Sequence, residues 1–469
     1  MEEQIDREHP DYIARKAIWR TYRDLYVGGE QLKANAAYYL VRRQREPLEV
    51  YAERLSRVYY ENYVGSIVDW YAATLFRREP LVLTEGDNEE GKRFIAEFTE
   101  DCDLRGSSLS EFFRGLLIEA LICGTAYILV DFPRVKGPLG NRAEEEALGA
   151  SRAYLVGYSP TEVINWSRDE RGNFDWAVIR TRRTYRESAA SEELIEETRW
   201  TYYDKTGFRV YRRKQVNGTG GGPELIDSGR HGLAKQQRVP LFEMRVPEGL
   251  WLMNKAGLLQ LEHFNKSNAL AWALTIGLFA SPVVYTDREW NQIVGESYYI
   301  QLGPEDRFGW TEPEGKVFTI AAENLARLQE EIYRVCYLLS QAGGRLSSRA
   351  LQSGISKQRD FAITQEVLRT YGDIVKDTMK RVLRSIVAAR EDGLAVDVSG
   401  LEEFDIGDFG AELADAERLL ALGIPSETLR KQVFKKLAFK YLCDVRQEVK
   451  DRIAEEIEAG FATSLERRA

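Results

Sequence analysis

The chain has 469 residues and an acidic balance, net −9, with 65 Lys and Arg against 74 Asp and Glu. That length holds about three domains' worth of chain and buries a core without covalent staples. The four cysteines, Cys102, Cys123, Cys336 and Cys443, lie far apart and form no CxxC pair, which argues against a zinc site or a disulfide scaffold and suits a reducing compartment.

The start, MEEQIDREHPDY, is acidic and polar, so no signal peptide is expected. Residues 9–76 read as helices. HPDYIARKAIWRTYRDLY and VYAERLSRVYYENYVGSIVDWYAATLF both repeat apolar residues at helical spacing. PLVL (80–83) reads as a strand, 89–101 and 108–123 as helices, and TAYILVDFP as a buried strand closed by Pro133. Residues 134–150 read as an exposed loop.

From 152 to 247 the pattern changes to β. RAYLVGYSP, FDWAVIRTRRTYRE, TRWTYYD, GFRVYRRKQV and RVPLFEMRV are rich in β-branched and aromatic residues, and DERGN, DKTG and NGTGGGP supply turns between them. Lys255–Phe279 reads as one helix. ASPVVYT, SYYIQLGP and KVFTI read as strands of a small insertion. Ala321–Gln341 reads as a return helix, and Gln358–Arg390 as a long helix that Gly372 could kink. EDGLAVDVSGLEEFDIGDFGAELADAE reads as an acidic connector, and 411–457 as mixed-charge helix. Ser267 to Thr286 is a run of twenty uncharged residues. Pro282 and the polar Ser267, Asn268, Thr275 and Ser281 make it a buried helix running into a strand rather than a membrane span.

Catalytic patterns fail on inspection. Residues 86–93, GDNEEGKR, imitate a phosphate-binding loop, but Arg93 stands where a magnesium-binding hydroxyl belongs. Asp87, Glu89 and Glu90 would set carboxylates against phosphates. Asp408-Phe409-Gly410 spells the kinase magnesium triplet without its companion motifs. Glu402, Glu403, Asp405 and Asp408 read as a solvated connector rather than a metal site. There is no HExxH or GxSxG. The sequence therefore predicts neither an enzyme nor a cofactor.

Residues 340–359, SQAGGRLSSRALQSGISKQR, hold four basic residues and no acid. From the charges alone this is either an ordinary solvated interhelix loop or a phosphate-touching one. Gly343, Gly344 and Gly354, with the serines, give such a loop conformational freedom.

In order, the chain reads as an α/β body, a helix, a small β insertion, a return helix, a basic loop, a long helix and a helical end. This order resembles the portal proteins of tailed double-stranded DNA bacteriophages, nearest their shorter families. Three stretches carry the likeness: HPDYIARKAIWRTYRDLYVGGEQLKA, GLLIEALICGTAYILVDFP, and RVPLFEMRVPEGLWLMNKAGLLQLEHFNKSNALAWAL. It covers about residues 9–395, and the tail from 400 is less similar.

The resemblance implies an α+β, mainly helical fold with wing, stem, clip and crown regions. Residues 1–254 would be the wing, 255–280 the first stem helix and 281–320 the clip. Residues 321–341 would be the second stem helix, 342–357 the tunnel loop, 358–399 the long wing helix and connector, and 400–469 the crown. It implies a ring homo-oligomer, a dodecamer in the common form, at the capsid portal vertex of a virion made in the host cytoplasm. Double-stranded DNA would pass through it without sequence specificity. The terminase large subunit, a head–tail adaptor, and major capsid and scaffolding proteins would be its partners, with no membrane involved. Arg345, Arg349, Lys357 and Arg359 would face the DNA. The clip, with seven acidic and three basic residues, would dock partners through Trp290, Trp310, Glu305 and Asp306. Both tryptophans packing between neighbouring clips is an equal alternative. A head–tail adaptor, a minor capsid protein and a divergent DNA-processing enzyme are the rival readings.

Overall fold

The computed structural model describes residues 4–133, 151–277, 281–287, 289, 302–311, 315–338, 354–402, 409–442, 449, 452, 453, 456 and 457. The elements run in this order: α1 (Pro10–Val27), α2 (Gly29–Ala34), α3 (Leu48–Ser56), α4 (Tyr63–Leu75), β1 (Leu81–Glu85), α5 (Glu89–Glu100), α6 (Leu109–Cys123) and β2 (Thr125–Asp131). Then come β3 (Tyr154–Tyr158), β4 (Val163–Arg168), β5 (Phe174–Tyr185), β6 (Ile195–Asp204), β7 (Phe208–Val216), β8 (Thr219–Gly220), β9 (Glu224–Gly229) and β10 (Leu241–Arg245). The remainder is α7 (Leu252–Gly277), β11 (Ser281–Tyr285), β12 (Arg307–Thr311), α8 (Gly315–Val335), α9 (Gly354–Arg390), β13 (Ala395–Ser399), α10 (Phe409–Ala421) and α11 (Glu427–Tyr441). The protein is thus mixed α and β. It divides into two compact units, one of Met1–Lys16, Asp69–Leu250 and Phe361–Ala469, the other of Ala17–Val68 and Trp251–Asp360.

In the first unit, local chemistry sets the element ends. Asn88 caps α5 by accepting the Gly91 N–H, so the loop that imitates a phosphate cradle is a helix cap. Ser108 and Glu111 close a reciprocal capping box on α6, and Gly124 ends it at φ 82°. Every residue of β2 is buried, as its unbroken apolar run requires. α5 packs on α6, and α6 on β2. β2 is the centre of a three-stranded sheet, β10-β2-β3.

The larger sheet runs β4-β5-β6-β7-β8, with β9 also on β7. The two sheets share a core in which Tyr127, Leu129 and Leu241 meet Val163, Phe174, Ile179, Tyr203 and Phe208. The polar turns work as their composition requires: Asp169 Oδ1 accepts the Arg171 and Asn173 N–H groups, and Asp204 Oδ1 those of Thr206 and Gly207. The far ends of β5 and β6 hold a buried carboxylate, Glu197, which accepts hydrogen bonds from Arg183, Arg199 and Tyr185. Burial works to raise its pKa, but these donors prevail and hold it at about 2. The N-terminal segment covers part of this sheet. Asp6 accepts from the Trp200 indole and Arg180, and the His9 N–H donates to the Ile164 carbonyl.

An apolar stripe runs along the long helix: Val367, Leu368, Tyr371, Val375, Met379, Val382 and Ile386 of α9 are all buried. At 1.5 Å per residue α9 is about 55 Å long. The helix runs unbroken through Gly372.

Several sequence expectations need correction. AVDVS, read as connector, is strand β13 and pairs antiparallel with β1. Charge masked it: its outward residues alternate with the buried Val396 and Val398. KVFTI is not a strand but the first turns of α8, where Gly315 opens a continuous helix. β4 was not anticipated. NGTGGGP is not turn alone, because Thr219–Gly220 adds a short strand. α9 starts at Gly354 rather than 358, and α8 ends at Val335, followed by Tyr337 at φ 61°. The loop expected at 134–150 lies outside the described residues.

Candidate functional site

The second unit is organised around a helical hairpin. α7 leads into β11, β12 pairs back antiparallel with it, and α8 returns. Lys255 Nζ donates to the Tyr337 hydroxyl near one end, and Lys266 Nζ to Asn324 Oδ1, 3.0 Å away, at the middle of both helices. The pairing of early with late residues makes α7 and α8 antiparallel. The β11–β12 ribbon therefore stands at one end of the pair, and the chain leaves toward residue 339 from the other. Among the described residues no helix is long and apolar enough to cross a membrane. The uncharged run is the second half of α7 and β11.

α7 is held by side-chain amides rather than by a simple apolar stripe. Gln260, fully buried, donates to the Glu61 carbonyl at 2.8 Å. Asn265 accepts the Val41 N–H at 2.9 Å and donates to the Tyr39 carbonyl at 3.0 Å. Asn268 does the same for both backbone groups of Tyr59, at 3.1 and 3.0 Å. These amides stand in for the neighbouring strand that segments 39–41 and 59–61 lack, and pair backbone groups there. Gly257 permits a further close approach, since a Cβ there would lie 2.6 Å from the Tyr22 ring. His263 is buried beside Tyr63, with Glu61 3.9 Å away. Burial depresses its pKa, against a smaller opposing pull from Glu61.

Two buried carboxylates shape the segment between α1 and α3. Asp24 accepts from Gln31, Asn35 and the Tyr39 hydroxyl, at 2.7, 2.9 and 2.6 Å. Glu46 accepts the Arg54 guanidinium on both oxygens, each at 2.7 Å, and the Arg43 N–H at 3.1 Å. Its own carbonyl accepts Arg42. Burial works to raise the Glu46 pKa, but Arg54 and the Arg43 N–H outweigh it and hold the carboxyl below its ordinary range.

The residues singled out by sequence fall as follows. Arg345, Arg349 and Trp290 lie outside the described residues. Lys357 and Arg359 fall in the first turns of α9, where the backbone alone is described. Trp310 is on β12, paired with Pro282 across the ribbon. Glu305 and Asp306 form the turn into β12: Asp306 Oδ2 accepts the Gly303 N–H at 2.7 Å, and the Asp306 N–H returns to the Gly303 carbonyl. Gly372 lies on α9 in the other unit, against Leu401. Of the acidic connector, Glu402 pairs with Lys376, while Glu403, Asp405 and Asp408 lie outside the described residues.

Sequence reasoning missed the α7 amides and the two buried carboxylates. A signal existed for the amides, because Asn265 and Asn268 interrupt an apolar helix at three-residue spacing. None existed for Asp24 and Glu46, which sit among charged neighbours.

No family model and no curated protein matches the chain. Among solved structures, a chain titled as the neck of an empty GTA particle computed with C6 symmetry is 13% identical at a TM-score of 0.47. The match covers 79% of this chain and 90% of that one. A chain of the virion of a native gene transfer agent particle is 12% identical at TM-score 0.41, covering 85% and 96%. A chain from the neck of a native GTA particle computed with C12 symmetry is 11% identical at TM-score 0.39, covering 83% and 89%.

Proposed function

We propose that this chain is a portal-type subunit that assembles into a ring around a channel for double-stranded DNA. The carrying observation is the α7–ribbon–α8 hairpin followed by an all-cationic segment that enters a 37-residue helix. The ribbon and the departure point of that segment are at opposite ends of the helix pair, about 30 Å apart at 1.5 Å per residue. One end then serves partner docking, through Trp290, Trp310, Glu305 and Asp306. The other presents Arg345, Arg349, Lys357 and Arg359 to DNA. The docked partners are the terminase large subunit during packaging and a head–tail adaptor afterwards.

The charge distribution supports the same reading. A conduit must not grip its cargo, because phosphate neutralisation releases counterions and binds tightly. An acidic wall repels the duplex and centres it, and a few cations on one segment touch the backbone without reading sequence. No step in this function is catalytic.

The test is negative-stain electron microscopy of the purified chain with mass photometry on the same sample. The expected result is a ring with a central hole, about twelve times the 53.8 kDa chain mass in the common form. A small closed oligomer without a hole would overturn the reading in favour of an adaptor. A chain that stays monomeric at the highest attainable concentration would overturn it as well.

A further inference from the structure

The segment joining the short helical turn after α2 to α3 exposes Val41, Arg42, Arg43, Gln44, Arg45 and Leu48. We propose that it is a subunit-contact surface whose occupant is a second copy of this chain. The inference rests on the ring reading above.

This loop is built, not slack. The Leu40 carbonyl accepts the Tyr51 hydroxyl at 2.9 Å, and the Val41 N–H donates to Asn265. The Arg43 N–H and the Glu46 carbonyl are bonded through the Glu46–Arg54–Arg42 network. Burying an ion pair costs desolvation that such a pair barely recovers. Here the pair, with Arg42, fixes the backbone of a segment that leaves Val41, Arg43, Gln44, Arg45 and Leu48 exposed. Val41 and Leu48 are each 68% exposed and Tyr38 is 74% exposed, with the Arg20 guanidinium 5.1 Å from the Tyr38 ring. A fixed backbone removes the ordering cost that a flexible loop adds to association.

The chemistry selects the occupant. Arg42, Arg43 and Arg45 add three positive charges, and the one acid among them, Glu46, is buried and already paired. The surface asks for an acidic partner, and a second copy at net −9 is one. Arginine and tyrosine beside exposed aliphatic side chains, with no lysine, is the composition of a protein interface. A phosphate backbone would leave Val41, Leu48 and Tyr38 without a role. Ring closure needs a contact in which unlike patches of successive subunits meet, and a cationic-apolar loop on an acidic chain supplies one half of it.

The experiment uses the full chain in two variants, Arg43→Glu/Arg45→Glu and Val41→Ser/Leu48→Ser. Both spare Arg42 and Glu46. Mass photometry and sedimentation velocity over a concentration series are read beside the thermal midpoint, with Arg171→Glu at a hairpin tip as control. The expected result is wild-type rings, and variants of wild-type thermal midpoint that assemble only at about tenfold or higher concentration. Variants that assemble like wild type overturn this inference and leave the ring reading standing. Variants that form normal rings but lose binding to linear duplex DNA overturn it too, and make DNA the occupant. A wild-type chain that forms no ring removes both.

Discussion

A Cβ placed on Gly372, in the middle of α9, would lie 2.2 Å from the carbonyl oxygen of Leu401. Leu401 and Gly400 both take left-handed backbone angles, φ 57° and 92°, to bring that carbonyl onto the helix. The glycine is therefore a docking notch for the chain after β13. Gly372→Ala tests this because two effects compete. Alanine gains about 1 kcal/mol of helix propensity, whereas the new methyl meets backbone, which cannot swing aside, and overpacking costs about 1–3 kcal/mol. The clash should win. Thermal unfolding is expected to show a lower midpoint, and an unchanged or raised midpoint would remove the notch argument.

Sequence reading found Gly372 but not its role, and that division recurs. Elements set by local pattern were legible: α6 between its capping box and Gly124, β2 as an apolar run, α9 from its stripe. What failed depended on partners distant in sequence. β13 is a strand because β1 lies beside it, and the acidic residues around Val396 and Val398 concealed the alternation. KVFTI carries β-branched residues that favour a strand alone, yet it continues into α8. In the candidate site the two helices and β11 were legible, whereas β12 at Arg307–Thr311 was not: SYYIQLGP and KVFTI read as the strands instead. The amide clamps of Gln260, Asn265 and Asn268 were not legible either, since each answers a backbone group some two hundred residues earlier in the chain.

Acid should destabilise the fold in two stages. His231 and His263 are buried, and burial lowers both pKa values below the ordinary 6.5 or so. The Nδ1 atoms of both also lack a hydrogen-bond partner. The unfolded chain binds the protons first, so this contribution is complete above about pH 6.5 and is lost as pH falls from there through the folded values. Glu46 and Glu197, held low by their arginines, act in a lower window. Their contribution is lost from about pH 4.5 downward, to about 2 for Glu197. Urea midpoints measured at about pH 7.5, 6 and 5 should fall steadily, with the slope reduced in His231→Gln/His263→Phe. An equal slope in that variant would assign the loss to other groups.

The Glu46–Arg54 pair should matter more when half removed than when replaced. Arg54→Met leaves a buried carboxylate without its counter-charge, and such losses run to about 3–5 kcal/mol. Glu46→Gln/Arg54→Met removes both charges and should recover a substantial part. Arg54 Nε has no partner even in the intact protein, so the pair is not fully compensated to begin with. Chemical unfolding of the two singles and the double closes the cycle. A double variant less stable than Arg54→Met would show that the pair's geometry, not its charge balance, sustains the loop.

The cationic segment yields the prediction nearest to function. Arg345→Ser/Arg349→Ser/Lys357→Ala/Arg359→Ala removes every charge between residues 340 and 359. Each lost phosphate contact reduces the dependence of log affinity on log salt by about 0.9. The variant should assemble as wild type does, because none of the four belongs to the loop proposed to join subunits. Packaged or retained DNA per particle should drop, and the remaining signal should vary less with salt than in wild type. Equal DNA content at every salt concentration would make 340–359 an ordinary solvated connection. Lost assembly would instead move these residues from the channel into the subunit interface.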